Sequence, residues 1–157
     1  MELSEIQFIG SFPIYVLTTF TLKVYPNQHG KVSLSAIIEE QYKEDVMKCK
    51  NDAVKFVKKD TKGKEKVLFC GLIHTIELTC IKDVCKLKME VISHTIQLDT
   101  QKKRRSFQDK NLSYETLFKN IVQKEYQGDI LDNLTNGKKI QHFLLQYDET
   151  DWEFFKR

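Results

Sequence analysis

Along residues 31–39 apolar and polar side chains alternate, with Val32, Leu34, Ala36 and Ile38 on one face and Lys31, Ser33, Ser35 and Glu39 mostly on the other. A period of two places successive side chains on opposite sides of an extended chain, so this segment predicts a half-buried strand. Residues 16–25 alternate in the same way, and Pro26-Asn27-Gln28-His29-Gly30 between the two supplies turn-forming residues, which predicts a hairpin. Residues 41–51 are charged and weakly patterned and read as a connection or a short exposed helix. Alternation resumes over 53–58, with Val54 and Phe56 on one face, and a turn is expected at Lys59-Asp60-Thr61-Lys62-Gly63-Lys64. A long strand follows over 66–80, with Leu68, Cys70, Leu72, Ile76 and Leu78 assigned to one face. Asp83 lies in the next turn, and residues 84–92 return with Cys85, Leu87, Met89 and Val91 inward against Lys86, Lys88 and Glu90. Five strands joined by short turns predict an antiparallel sheet, which must curl or pair to hide its apolar face.

The pattern then changes. Residues 97–105 are polar and end in Lys102-Lys103-Arg104-Arg105, which predicts a loop or short helix. Ser113 is placed to cap a helix running to Tyr126, whose Leu117, Phe118, Ile121 and Val122 form one stripe before Gly128 stops it. That helix is expected to cover one open end of a barrel. A last strand is expected over 140–147, and Thr150-Asp151-Trp152-Glu153 then has the spacing of a capping box. The chain ends one turn into this helix, and because a single isolated turn does not recover its nucleation cost, the natural protein is expected to continue past Arg157.

Composition adds exclusions. A chain of 157 residues, 41% apolar and 30% charged, suits one soluble globular domain. The N-terminus has acids where a secretory leader has basic residues, and the apolar stretch 12–17 is short and broken by Pro13, so no signal peptide or membrane-spanning segment is expected. Synthesis in the cytoplasm follows, with any exit by another route. Cys49, Cys70, Cys80 and Cys85 lack CxxC spacing and read as buried thiols, although Cys80 and Cys85 can face each other across a hairpin. His29, His74, His94 and His142 stand singly, so no metal site or cofactor is expected. The net charge of +3 is mild, and all but Arg104, Arg105 and Arg157 of the 25 basic residues are lysines, a balance that does not announce a nucleic-acid reader.

Three segments carry a family resemblance. The final stretch is similar to the Gln-Tyr-x-Glu-Ser/Thr-Asp-x-x-Phe-Leu-x-Arg signature of VgrG-like and phage baseplate-hub (late control D-like) proteins, with matches at Gln146, Tyr147, Glu149, Thr150, Asp151, Phe154 and Arg157 and a departure at Phe155. Phe69-Cys70-Gly71-Leu72-Ile73 resembles the family's Phe-x-Gly-x-Ile strand. Arg105-Ser106-Phe107-Gln108, followed by the Ser113-capped helix, resembles its Arg-x-Phe-Gln segment, and His29-Gly30 is also in place. The resemblance implies a mainly β fold, a small antiparallel, tail-tube-like barrel of about six strands with a covering helix, over residues 1–147. Residues 148–157 would then open a second domain. It further implies a hub or adaptor of a contractile injection machine: a homotrimer forming a pseudo-hexameric ring that joins the tail tube protein to spike and baseplate proteins, with DNA or effector passing through the lumen without specific binding.

No catalytic residue is nominated. Glu149 and Asp151 sit at a helix start, where capping and the helix dipole account for them, and neither serines nor cysteines show a partnered base. Lys102, Lys103, Arg104 and Arg105 read as a solvated loop, or as a contact to a neighbouring subunit or the tube lumen. Trp152, Phe154 and Phe155 are an apolar group that the family reading places between two barrels. The competing reading is a stand-alone small barrel that binds nucleic acid through its lysines. A hydrolase would need a nucleophile that the sequence does not provide.

Overall fold

The computed structural model describes residues 3–59, 64–82 and 84–157, and the chain divides into two compact units, Met1–His94 and Thr95–Arg157. In the first unit β1 (Ile6–Ile9), β2 (Val16–Lys23), β3 (Lys31–Ile38), β4 (Ala53–Lys59), β5 (Glu65–Ile81) and β6 (Val84–Ser93) form one antiparallel sheet in the order β1-β4-β5-β6-β3-β2. The sheet curls into a half-barrel around a core that includes Val32, Leu34, Phe56, Ile73, Leu87 and Val91. The expected mainly β fold is therefore present. Its connectivity is not a simple succession of hairpins, because the chain leaves β3 on one side of β6 and enters β4 beyond β5. The crossing segment carries a short helix, α1 (Lys43–Lys48), which buries Val46.

Alternation in β3 and β6 is as the pattern requires: Val32, Leu34, Ala36 and Ile38, and Cys85, Leu87, Met89 and Val91, are all buried. β5 corrects the reading of its first half. Phe69 and Ile73 face the core beside Gly71, whereas Leu68 and Leu72 are half-buried and Cys70 is exposed. A register shift between Ile73 and Thr75 then returns Ile76 and Leu78 to the core side. One extra residue in a strand inverts the parity of everything beyond it, so a single alternating face cannot be drawn through the whole segment.

Gly71 stands where β5 changes partners, paired to Val54 of β4 and to Ser93 of β6. A Cβ there would sit inside the contact distance of the Ile92 carbonyl and 2.9 Å from the Phe69 ring, while one on Gly30 would come within 3.0 Å of the same ring. Both glycines thus make room for Phe69 and for close strand approach, which gives the Phe69-x-Gly71-x-Ile73 pattern a packing reason.

Cys80 and Cys85, read as thiols with a possible cross-hairpin pairing, are bonded to each other. They are register partners in β5 and β6, next to the Ile81–Val84 pair that closes the hairpin. In a two-residue hairpin this second pair is the non-hydrogen-bonded one, where the Cα atoms approach most closely; here they are 4.1 Å apart. Cys49 remains a buried thiol and Cys70 an exposed one. The expected turn at 59–64 falls mainly on residues 60–63 and the next on Asp83, outside the described residues.

In the second unit β7 (Lys103–Phe107) pairs with β8 (Leu144–Glu149), and α2 (Tyr114–Tyr126) and α3 (Asp151–Lys156) complete it. β7 replaces the loop or short helix expected through residue 105, after a 3-10 turn over His94–Asp99. α2 begins at Ser113, whose hydroxyl accepts from the Thr116 amide at 3.1 Å. It ends at Gln127, which takes the left-handed conformation (φ 52°), directly before Gly128. The helix expected to cover a barrel end belongs to this second unit, where Leu117 and Ile121 pack with Ile140 and Phe154. β8 starts later than predicted because Ile140 is committed elsewhere: its amide bonds to Leu112 and its side chain is buried in this cluster. Among the described residues no helix is long and apolar enough to cross a membrane.

Candidate functional site

Three resemblance-bearing residues of the second unit, Arg105, Gln146 and Asp151, meet at one buried carboxylate. Inward and outward positions alternate along β7 and β8, so Lys103 and Arg105 point into the unit with Gln146, while Arg104 and Ser106 point out with Tyr147 and Leu145. Two inward cations are tolerable only with a partner, and α3 supplies it. Asp151, at the first position of α3, is fully buried.

Its carboxylate accepts from Lys103 Nζ at 2.7 Å, from the Tyr126 hydroxyl at 2.6 Å, from Gln146 Nε2 at 2.9 Å and from Arg105 Nη2 at 3.2 Å. Glu125 of α2 pairs with both Lys103 and Arg105. The carboxylate therefore ties α3 to β7, β8 and the end of α2. Burial acts to raise the Asp151 pKa, but the bonds from Lys103, Tyr126 and Gln146 and the charge of Arg105 outweigh it and hold the carboxyl below its ordinary value. Lys103 is shifted the other way: burial would lower its pKa, and its bonds to Asp151, Glu125 and Tyr126 raise it. For Tyr126, burial and its bond to Asp151 both raise the pKa. Both charges of the Lys103–Asp151 pair are held by the fold.

Further signature residues brace the same knot. Thr150 completes a capping box: its hydroxyl accepts from the Glu153 amide at 3.1 Å, and its own amide donates to Glu153 Oε2 at 2.8 Å. The Thr150 hydroxyl also donates to Asp99 at 2.6 Å. Gln146 Nε2 donates to the Glu149 carbonyl at 3.2 Å as well as to Asp151. Arg157 grips Glu149 through Nε at 3.1 Å and Nη2 at 2.8 Å and reaches back to the Leu145 carbonyl. Phe154 is buried, stacked 5.6 Å from Phe107 and edge-on to Phe118 at 6.0 Å, and Phe155 lies 4.4 Å from Phe118. Trp152 is half-buried with Lys156 over its ring. The aromatic group at the start of α3 thus packs within its own unit.

Gln108 is exposed just beyond β7, and Tyr147 is exposed with the Arg104 guanidinium 4.9 Å from its ring. Of the four consecutive cations, Lys103 and Arg105 are engaged internally, while Lys102 and Arg104 face solvent, both near Asp148 at 3.9 and 3.7 Å. Phe69, Gly71 and Ile73 lie in the first unit and are described with β5. Sequence reasoning did not find Glu125 and Tyr126; the readable signal was the i, i+2 spacing of Lys103 and Arg105, which puts two cations on one strand face and calls for acids opposite. The site's chemistry is that of a lock, because the Asp151 oxygens are occupied by four donors. Among the described residues no three His, Cys, Asp or Glu side chains are grouped to hold a metal ion.

The chain contains a curled six-stranded antiparallel sheet in one unit and a two-stranded ribbon with two helices in the other. Solved structures with a similar fold include two phage-tail-related proteins. One is the E. coli c3393 protein, a component of the type VI secretion system with structural similarity to the T4 bacteriophage tail proteins gp27 and gp5 (TM-score 0.68, 14% identity, covering 96% of this chain and 42% of that one). The other is the 43 kDa tail protein of prophage MuSo2 from Shewanella oneidensis (TM-score 0.73, 14% identity, covering 98% of this chain and 46% of that one). The chain thus has the VgrG and baseplate-hub-like fold that its C-terminal signature implied, and it spans less than half of either structure. No protein-family model and no curated protein matches it.

Proposed function

We propose that this chain is a structural hub or adaptor domain of a contractile injection machine, a phage tail, bacteriocin or type VI-like system. In this reading three copies of the full-length protein form a pseudo-hexameric ring that joins the tail tube to the spike and leaves a channel for DNA or effector. The observation that carries the reading is the likeness over nearly the whole chain to a type VI secretion component and a prophage tail protein. The knot around Asp151 supports it, since signature residues at the end of the chain are spent on holding α3 in place rather than on presenting a reactive group.

Assembly is the mechanism. β1 and β2 are the edges of the six-stranded sheet, and edges carry backbone donors and acceptors that a neighbouring element can use. Head-to-tail contacts between copies close into a ring when the rotation per subunit divides a full turn. The particle would be assembled from protein made inside the cell. The test is to mix the purified full-length protein with tubes grown from a tail tube protein of the same source, and to image them by negative-stain microscopy. Density capping one end of each tube supports the reading; tubes with bare ends at saturating protein overturn it.

A further inference from the structure

The outer face of the β7–β8 ribbon has a character the lock does not use. Leu145 and Tyr147 alternate along it and Phe143 directly precedes β8; the three are 45%, 63% and 53% exposed. Beside them Lys102 and Arg104 share one carboxylate, Asp148, which leaves the face with one positive charge in excess. An apolar row with a basic margin fits a partner that offers apolar side chains between acids.

The same unit exposes such a segment. In the loop after α2, Leu131 and Leu134 are 84% and 90% exposed, the two largest exposures among the large apolar side chains of the described residues. Asp129 and Asp132 flank Leu131. Asp132 accepts from the Leu134 and Thr135 amides at 2.9 and 2.8 Å and from the Thr135 hydroxyl, bonds that fix the loop and favour the charged carboxylate. Asp129 has Lys119 at 3.5 Å but is itself largely exposed.

We infer that the acidic, leucine-bearing loop at 129–134 of one copy docks on the basic, apolar outer face of β7–β8 of the next copy. The two surfaces differ from each other and complement each other in charge, so the contact is heterologous, the kind that propagates around a ring. The inference rests on the ring reading above and names a contact within it.

Two variants separate the surfaces: Leu131→Asp/Leu134→Asp on the loop and Lys102→Glu/Arg104→Glu on the ribbon. All four positions are exposed, and unchanged Trp152 fluorescence will show that the unit remains folded. Sedimentation velocity of the full-length protein should show self-association of the wild type and at least roughly ten-fold weaker association of each variant alone. An equimolar mixture of the two variants retains one intact loop and one intact ribbon, and should give a heterodimer that grows no further. If both variants associate like the wild type, or if the mixture fails to pair, this contact is overturned and the ring reading stands. If the wild type is monomeric throughout, the ring reading and the contact fall together. Binding of a labelled single-stranded DNA that is lost in the Lys102→Glu/Arg104→Glu variant, with assembly unchanged, would reassign the face to nucleic acid and overturn the inference.

Discussion

Replacing Asp151 by Asn tests whether the second unit is held by its buried carboxylate. Asn keeps the volume and one acceptor, removes the charge, and turns the other oxygen into a donor that faces either Lys103 and Tyr126 or Gln146, depending on which way the amide is turned. Removing one member of a buried ion pair costs about 3–5 kcal/mol, because the partner charge is left stranded. Here Glu125 still faces Lys103 and Arg105, and those cations are 17% and 20% exposed, so the lower end applies, about 3 kcal/mol. Trp152 is the single tryptophan and lies on α3 next to the substituted residue, so its fluorescence during urea unfolding reports this unit directly. With a denaturant slope of about 1–3 kcal/mol per molar, the midpoint should fall by roughly 1–3 M.

The pH dependence gives a second readout. A carboxyl whose folded pKa is depressed stabilises above its unfolded value, near 4, and that stabilisation is lost as pH falls through the folded value. The gap between wild type and Asp151→Asn should therefore be full at pH 7 and shrink in acid below about pH 4. A loss under about 1 kcal/mol at pH 7, the scale of an exposed ion pair, would refute the account of the lock.

Other perturbations have smaller or more local effects. Thr150→Ala removes one half of the capping box and should destabilise the second unit by about 1 kcal/mol, read by the same fluorescence transition. Reduction of Cys80–Cys85, or the Cys80→Ser/Cys85→Ser variant, opens a short loop and should lower the stability of the first unit by about 2 kcal/mol in denaturant, monitored by far-UV circular dichroism. Gly71→Ala places a methyl against the Ile92 carbonyl and the Phe69 ring and should cost about 3 kcal/mol or prevent folding. Gly137→Ala, with open space around it but φ of +72°, should cost only about 1 kcal/mol by the same measurement.

What the sequence makes legible follows from how local each cause is. β3 and β6 are read correctly because each has one buried face and no internal shift, so alternation carries the whole answer. α2 and the Thr150 box are read because capping is settled within four residues. The first half of β5 is assigned to the wrong face because its parity is reset by a bulge at His74 that no local pattern marks. β7 is missed because its inward residues are Lys103 and Arg105, which look like solvent-facing charges until Asp151, 46 residues beyond Arg105, is brought against them. The order β1-β4-β5-β6-β3-β2 is likewise set by contacts across the sheet, and only the hairpins within it can be seen along the chain. For the same reason the C-terminal signature is legible along the chain only as a pattern: Gln146, Glu149, Asp151 and Arg157 explain one another only once folded.

Native mass spectrometry of the full-length protein tests the proposed ring-forming hub role most directly. The account predicts a trimer as the dominant species at micromolar concentration. A strict monomer across the accessible concentration range would contradict it.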